Sequence, residues 1–246
     1  MAVTAVIVQA RMTSTRLPGK VLLPLAGKSV LWHVLTRCRA IPGVNVVCCA
    51  VPDAPESAQL QPEIDAAGAV VSRGSETDVL SRYRDAARKI GADIVMRVTS
   101  DCPVIDPLLC SRVLAQRAVT HADYACNNMP RTWPHGLDCE AFTVTALERA
   151  ASEATESYDR EHVTPWLRRS ESIARVNVPG PGGRFADRRW TLDFPEDYAF
   201  FSALFDALPP PPHVAGTIEI DSVLRRHPEI AALNASRHVS DIQEKP

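Results

Sequence analysis

Three fixed cations and three hydroxyls stand together in the run Arg11-Met12-Thr13-Ser14-Thr15-Arg16-Leu17-Pro18-Gly19-Lys20. By composition alone this is a solvated basic loop. Cations concentrated in one short stretch also match the many anionic oxygens of a triphosphate. The run is not a Walker A loop, because only Gly19 precedes Lys20 and Val21 follows it, where that motif needs a second glycine and then Ser or Thr. Two acids stand further along, each at the end of an apolar stretch: Asp101 in Ser100-Asp101-Cys102-Pro103 and Asp193 in Trp190-Thr191-Leu192-Asp193-Phe194-Pro195. A hard oxygen ligand in such a place suits Mg²⁺, which takes few protein carboxylates and shares phosphate oxygens and water. Asp106, just before Pro107, reads as a helix cap, and Asp197 as a first-turn residue facing a helix dipole.

The elements that must position these groups follow from apolar periodicity. Residues 3–8 are almost continuously apolar, as in a strand covered on both faces. Val30, Leu31, Val34, Leu35 and Cys38 recur with helical spacing until Pro42-Gly43. Residues 44–51 read as a second buried strand, 57–67 as a weaker helix, 69–72 as a short strand, and 78–90 as a helix capped by Asp78 and stopped by Gly91. Residues 93–99 are another strand. The second half is less regular, with strands expected over 138–143, 173–178 and 189–193, and helices over 144–154 and 196–208. Pro209 to Pro212 form a stiff spacer before a small helical tail that contains residues 218–226, dividing the chain into a domain over 1–208 and a tail over 209–246.

Strands alternating with helices imply right-handed crossovers and a mostly parallel sheet flanked by helices. Ligands of such α/β sheets sit beyond the carboxyl ends of the strands, where the loops after Gln9 and after Thr99 both lie. That position moves the basic loop from the solvated reading towards a nucleotide site.

With 46% hydrophobic residues among 246, the chain has an ordinary globular balance. A formal net charge of −2 and scattered basic pairs exclude the electrostatic footprint of a duplex nucleic-acid binder. No apolar run approaches a bilayer span and the first residues lack a basic leader, so a cytoplasmic location is expected. Seven cysteines without Cys-x-x-Cys spacing suit reduced, buried thiols.

Gln9-Ala10-Arg11 through Gly19-Lys20 resembles the signature of the sugar-acid cytidylyltransferases, which make CMP-activated keto-deoxy-octulosonate and sialic acids. The whole-chain pattern is most similar to the spore coat polysaccharide biosynthesis protein F branch, over most of residues 3 to 205. The resemblance implies a Rossmann-like nucleotide-diphospho-sugar transferase fold, CTP as donor, Mg²⁺ held jointly by Asp101 and Asp193, and a small sugar-acid acceptor. Dimers are common in that family, so a homodimer is a further expectation. Arg11, Lys20 and Asp101 would carry the transfer. Arg16 would join them on the nucleotide, Arg73 and Ser75 would contact the cytosine, and backbone groups of Ala10 and Arg11 would complete its recognition. By the same resemblance Arg131, Asp138, Glu140, Arg160 and His162 belong to the acceptor pocket, with the acids on hydroxyls and an arginine on the carboxylate. His135 reads as structural. Glu161 with His162 is no zinc pattern, for want of a second His or Cys at a suitable spacing.

The expected reaction is in-line attack of the acceptor oxygen on the α-phosphorus with release of pyrophosphate, driven by positioning and electrostatics. Two rivals stay open. A nucleotide-sugar glycosyltransferase normally needs Asp-x-Asp, for which Asp138-Cys139-Glu140 is the only near match, and a catalytically silent nucleotide sensor would keep the sheet without turnover. The loop chemistry also leaves GTP and UTP open as donors.

Overall fold

A run of four side chains buried in succession, Ala5 to Val8, requires cover on both faces of a strand. The computed structural model, which describes residues 2–237, supplies it. β1 (Thr4–Gln9) is followed by the small hairpin of β2 (Pro24–Leu25) and β3 (Lys28–Ser29). Then come α1 (Val30–Arg39), β4 (Val46–Pro52), α2 (Gln61–Ala66), β5 (Val70–Gly74), α3 (Val79–Lys89) and β6 (Ile94–Thr99). The second half holds α4 (Pro107–Thr120), β7 (Tyr124–Cys126), β8 (Glu140–Thr143), α5 (Val144–Glu153), α6 (Ser157–His162), α7 (Pro165–Arg169) and β9 (Arg175–Asn177). It ends with α8 (Pro195–Ala207), α9 (Thr217–Arg226) and α10 (Pro228–Ala232).

Seven strands form one sheet in the order β5-β4-β1-β6-β8-β7-β9. β1 pairs in parallel with β4 and with β6, and β4 with β5. β8 runs antiparallel to both β6 and β7. The mostly parallel sheet and flanking helices are those expected. One apolar cluster lies under α1 and α4, and another under α3, α5 and α7. All seven cysteines are buried and free. No helix among the described residues is long and apolar enough to cross a membrane.

Three features depart from the sequence reading. Residues 189–193 are not a strand: they make a single bridge, His135 to Arg189, because the backbone there docks on loops, Leu192 N donating to Asp101 O at 2.8 Å. The helix expected over 57–67 is split into a 3₁₀ turn (Pro55–Leu60) and α2, since Pro62 fits only the first turn of a helix. The 14-residue helix α4 has weak apolar periodicity, burying only Leu109, Cys110 and Val113, and its signal is the cap: Asp106 accepts from Leu108 N and Leu109 N at 2.8 and 3.1 Å.

Beyond the prolines, α9 and α10 pack on α8, and Ile220, Leu224 and Ile230 join Trp190, Phe200 and Phe201 in a third apolar cluster. Each such side chain stabilises the contact by about 1.5–3 kcal/mol. The helices thereby brace the segment that bears Asp193. Residues 238–246 of the expected tail lie outside the described residues.

Candidate active site

β1 and β6 are adjacent and parallel, with Gln9 opposite Thr99, so the loops that follow them leave the sheet side by side. The first loop turns at Gly19, in a left-handed backbone conformation that glycine adopts without strain, and enters a single 3₁₀ turn starting at Lys20. The second carries Asp101. Lys20 Nζ donates to Asp193 Oδ1 at 2.8 Å, to Leu192 O at 2.8 Å and to Asp101 Oδ2 at 3.2 Å. The two acids expected to share a metal therefore converge, and the ammonium of the basic loop lies between them.

Asp193 is held from its other side too. Arg16 Nη2 donates to its Oδ1 at 3.1 Å and Arg189 Nη2 to its Oδ2 at 3.2 Å. Arg189 is in turn gripped by both oxygens of Asp197, at 2.8 and 2.9 Å, and Asp197 accepts the backbone N–H of Asp193 and Phe194. Asp197 thus does more than face a helix dipole: it closes the start of α8 and fixes the guanidinium behind Asp193.

Electrostatics follow the geometry. Burial opposes the charge on Lys20, but Asp101 and Asp193 outweigh it and raise its pKa. Burial likewise opposes ionisation of Asp101, yet the Lys20 ammonium and a hydrogen bond from Thr99 hold its carboxyl well below the usual carboxylate range. Both acids supply only hard oxygen donors. Among the described residues no group of three or more His, Cys, Asp or Glu could hold a metal. A two-carboxylate set fits Mg²⁺ or Mn²⁺, which complete their shell with phosphate and water, and it does not fit Zn²⁺.

A cavity of about 200 Å³ opens here, and Ala10, Arg11, Arg16, Lys20, Asp101, Asp193 and His162 all line it. Arg11 makes no hydrogen bond or ion pair among the described residues, so its guanidinium is available to a ligand. Ser14 and Thr15, two of the hydroxyls of the basic loop, line it as well, and sequence reasoning missed Arg82 and Glu161 in its wall. Arg82 is buried and donates to Ser75 O at 2.5 Å, tying α3 to the preceding loop. No spacing signal singles it out within its helix.

His162 reaches the cavity through a γ-turn of the less common hand. Thr164 N donates to His162 O at 2.8 Å across Val163. The backbone of Val163 has φ 71° and ψ -53°. Burial lowers the His162 pKa, so its imidazole is neutral at pH 7.

Other expected residues fall elsewhere. Arg73 lines a separate shallow depression with Asp53 and Pro55, and Ser75 Oγ accepts from Asp78 N at 3.0 Å at the start of α3. Arg131 and Asp138 are paired with each other, at 2.5 and 2.7 Å, on the loop that stacks against residues 188–190. That stacking needs Gly136, at φ +107°: a Cβ there would lie 2.0 Å from Trp190 O.

Two acceptor residues are corrected. Glu140 is buried and fully engaged, accepting from Arg97 at 2.6 Å, from Arg168 at 2.8 and 3.1 Å, and from Tyr124 Oη. Burial opposes its charge, but Arg168 and Arg97 hold it well below the usual carboxylate range. It is a structural hub that already accepts four hydrogen bonds, and the same burial removes Asp138-Cys139-Glu140 as a metal-binding Asp-x-Asp. Arg160 is committed as well, to Asp78, to Ser81 Oγ at 2.7 Å and to Ala151 O at 2.7 Å, where it pins α6 to α3.

Comparison with known proteins identifies the family and the fold. The chain is 31% identical to spore coat polysaccharide biosynthesis protein SpsF of Bacillus subtilis over 233 residues, 92% of this chain and 95% of that one. A cytidylyltransferase of Leptospira borgpetersenii superposes with a TM-score of 0.88 at 27% identity, over 94% of this chain and 97% of the other. The CMP:2-keto-3-deoxy-manno-octonic acid synthetase solved with CTP shares the fold, with a TM-score of 0.63 at 19% identity over 83% of this chain and 99% of that one. Residues 5–207 match the cytidylyltransferase family as a whole. This chain belongs to that family and is a nucleotidyltransferase.

Proposed function

We propose that the protein transfers CMP from CTP to a sugar acid of the keto-deoxy or nonulosonic type, with release of pyrophosphate, in the making of a cell-surface polysaccharide. The observation that carries the reading is the Lys20 ammonium shared by Asp101 and Asp193 at the floor of a cavity rimmed by Arg11 and Arg16.

Arg11 and Arg16 bind the phosphate oxygens, and the Ala10 and Arg11 backbone reads the base. Lys20 exchanges its carboxylate partners for phosphate oxygens as the triphosphate settles, stabilising charge that grows on the transferred group. Asp101 and Asp193 are the residues that would hold Mg²⁺, which neutralises phosphate charge when bound. His162, neutral and at the rim, accepts a hydrogen bond from an acceptor hydroxyl. Arg131 and Asp138 guard the acceptor side, and Arg73 and Ser75 shape the approach of the base. SpsF, named for polysaccharide biosynthesis, and the octonic acid synthetase support the assignment of acceptor class and donor.

The test is pyrophosphate release with each common ribonucleoside triphosphate against a panel of keto sugar acids, with Mg²⁺ and with Mn²⁺. Release that requires CTP and one sugar acid is expected. Equal rates with every nucleotide, or none with any acid, would refute the assignment.

A further inference from the structure

Asp193 presents one carboxylate oxygen to Lys20 and the other to Arg189. Arg189 also lines a second cavity, of about 550 Å³, bounded by residues 184–190 and by α8, α9 and α10. Its side chain is 3% exposed. Nε and Nη2 are bonded to Asp197 and Asp193, whereas Nη1 is buried without a partner. An unsatisfied buried donor costs about 1–3 kcal/mol, more on a charged group, unless a ligand supplies an acceptor.

The surroundings specify the ligand. Arg184, Arg188 and Arg237 stand in the same wall, where Asp187 is the one acid among the described residues. Asp221 balances Arg188, but Arg184 has no hydrogen bond or ion pair among the described residues. Trp190 and Phe200 give the wall an apolar, aromatic portion. Cations backed by aromatic surface suit an anion carried on an apolar body.

We propose that this cavity is a second ligand site, for a small phosphate ester with an apolar or aromatic portion, and that its occupancy is transmitted to Asp193 through Arg189. The ligand phosphate pairs with Arg184, and Arg189 Nη1, occluded in the unliganded chain, turns outward to meet it. Any displacement of that guanidinium is felt at Asp193 Oδ2, and so at the carboxylate that shares Lys20. The binding half stands independently of the reaction assigned above, and the coupling half rests on it.

The probe is 1-naphthyl phosphate, titrated calorimetrically into the full chain and into the Lys20→Ala, Arg184→Glu and Ala235→Trp variants. Residues 184 and 235 are exposed and line the second cavity, so these variants fold normally. Affinity should fall about tenfold or more in Arg184→Glu and Ala235→Trp and stay within about twofold in Lys20→Ala. No saturable binding, or binding lost only in Lys20→Ala, overturns the site. The probe should also change the rate of pyrophosphate release by the wild-type chain and not by Arg184→Glu. Binding that leaves the wild-type rate untouched overturns the coupling.

Discussion

Lys20 Nζ lies 2.8 Å from Asp193 Oδ1, although 173 positions separate the two in the chain. An ammonium delivered by the first loop is thus the meeting point of carboxylates delivered by two later ones. Without ligand it keeps those acids together, and in the proposed reaction it would stabilise the charge that develops.

Asp101→Asn should lower pyrophosphate release by about a hundredfold or more, since it removes one of the two charges proposed to hold the metal. Its thermal midpoint should fall less than that of Asp193→Asn, because the Asp101 side chain is 25% exposed and that of Asp193 only 5%. Asp193→Asn should lose activity and also about 3 kcal/mol of stability, because it breaks a buried pair with Arg189. Equal stability in the two variants, read by denaturant unfolding, would contradict this distinction.

Lys20→Ala should cut kcat/KM for the triphosphate by about a hundredfold, the usual loss when one preorganised donor to a developing charge is removed. It should also release Asp101 from its depressed pKa, so that metal binding weakens at a higher pH than in the wild-type chain. A pH titration of Mn²⁺ affinity would show the shift, and an unchanged profile would count against the pairing.

His33 gives a stability profile with a defined window. Burial lowers its pKa from 6.5 to about 4, with Nε2 donating to Leu25 O at 2.8 Å and Nδ1 left without a partner. The unfolded chain therefore binds the proton more tightly between those values. Stability should fall by about 3 kcal/mol as pH drops from 6.5 to 4, and His33→Gln should flatten that slope. A slope that survives the substitution would assign the effect to other groups.

Glu140→Gln should cost about 3–5 kcal/mol, because Arg97 and Arg168 would then share a buried, uncharged partner. Its depressed pKa means that the stability it contributes is present above the ordinary carboxylate range and is lost as pH falls below it. KM for the acceptor, measured at low temperature where the variant is folded, should be unchanged. A large rise in KM with little loss of stability would return Glu140 to the acceptor pocket.

Much of the first half was legible because its strands are continuous apolar runs broken by loops of opposite character. The basic stretch from Arg11 to Lys20 and the acid after Thr99 could be placed at the same end of the sheet from direction alone. The segment 189–193 could not, because its order comes from docking on Asp101 and His135 and not from its own periodicity. Glu140 and Arg160 misled for a related reason. A charged residue near a pocket motif looks available in one dimension, and only packing reveals partners such as Arg168 or Asp78. Arg82 and Glu161 were hidden because a cavity wall has no repeat in the chain.

Val163 holds its inverted φ against the preference of a β-branched residue, at a strain of about 1–3 kcal/mol. Its side chain is wholly buried in the apolar cluster that also holds Leu80, Tyr83 and Trp166, which returns a comparable amount. The bend beneath His162 is therefore clamped from inside and is no hinge. The stance of that imidazole is inherited from the interior, so a change in volume around Tyr83 would be read out at the rim before it weakened the fold.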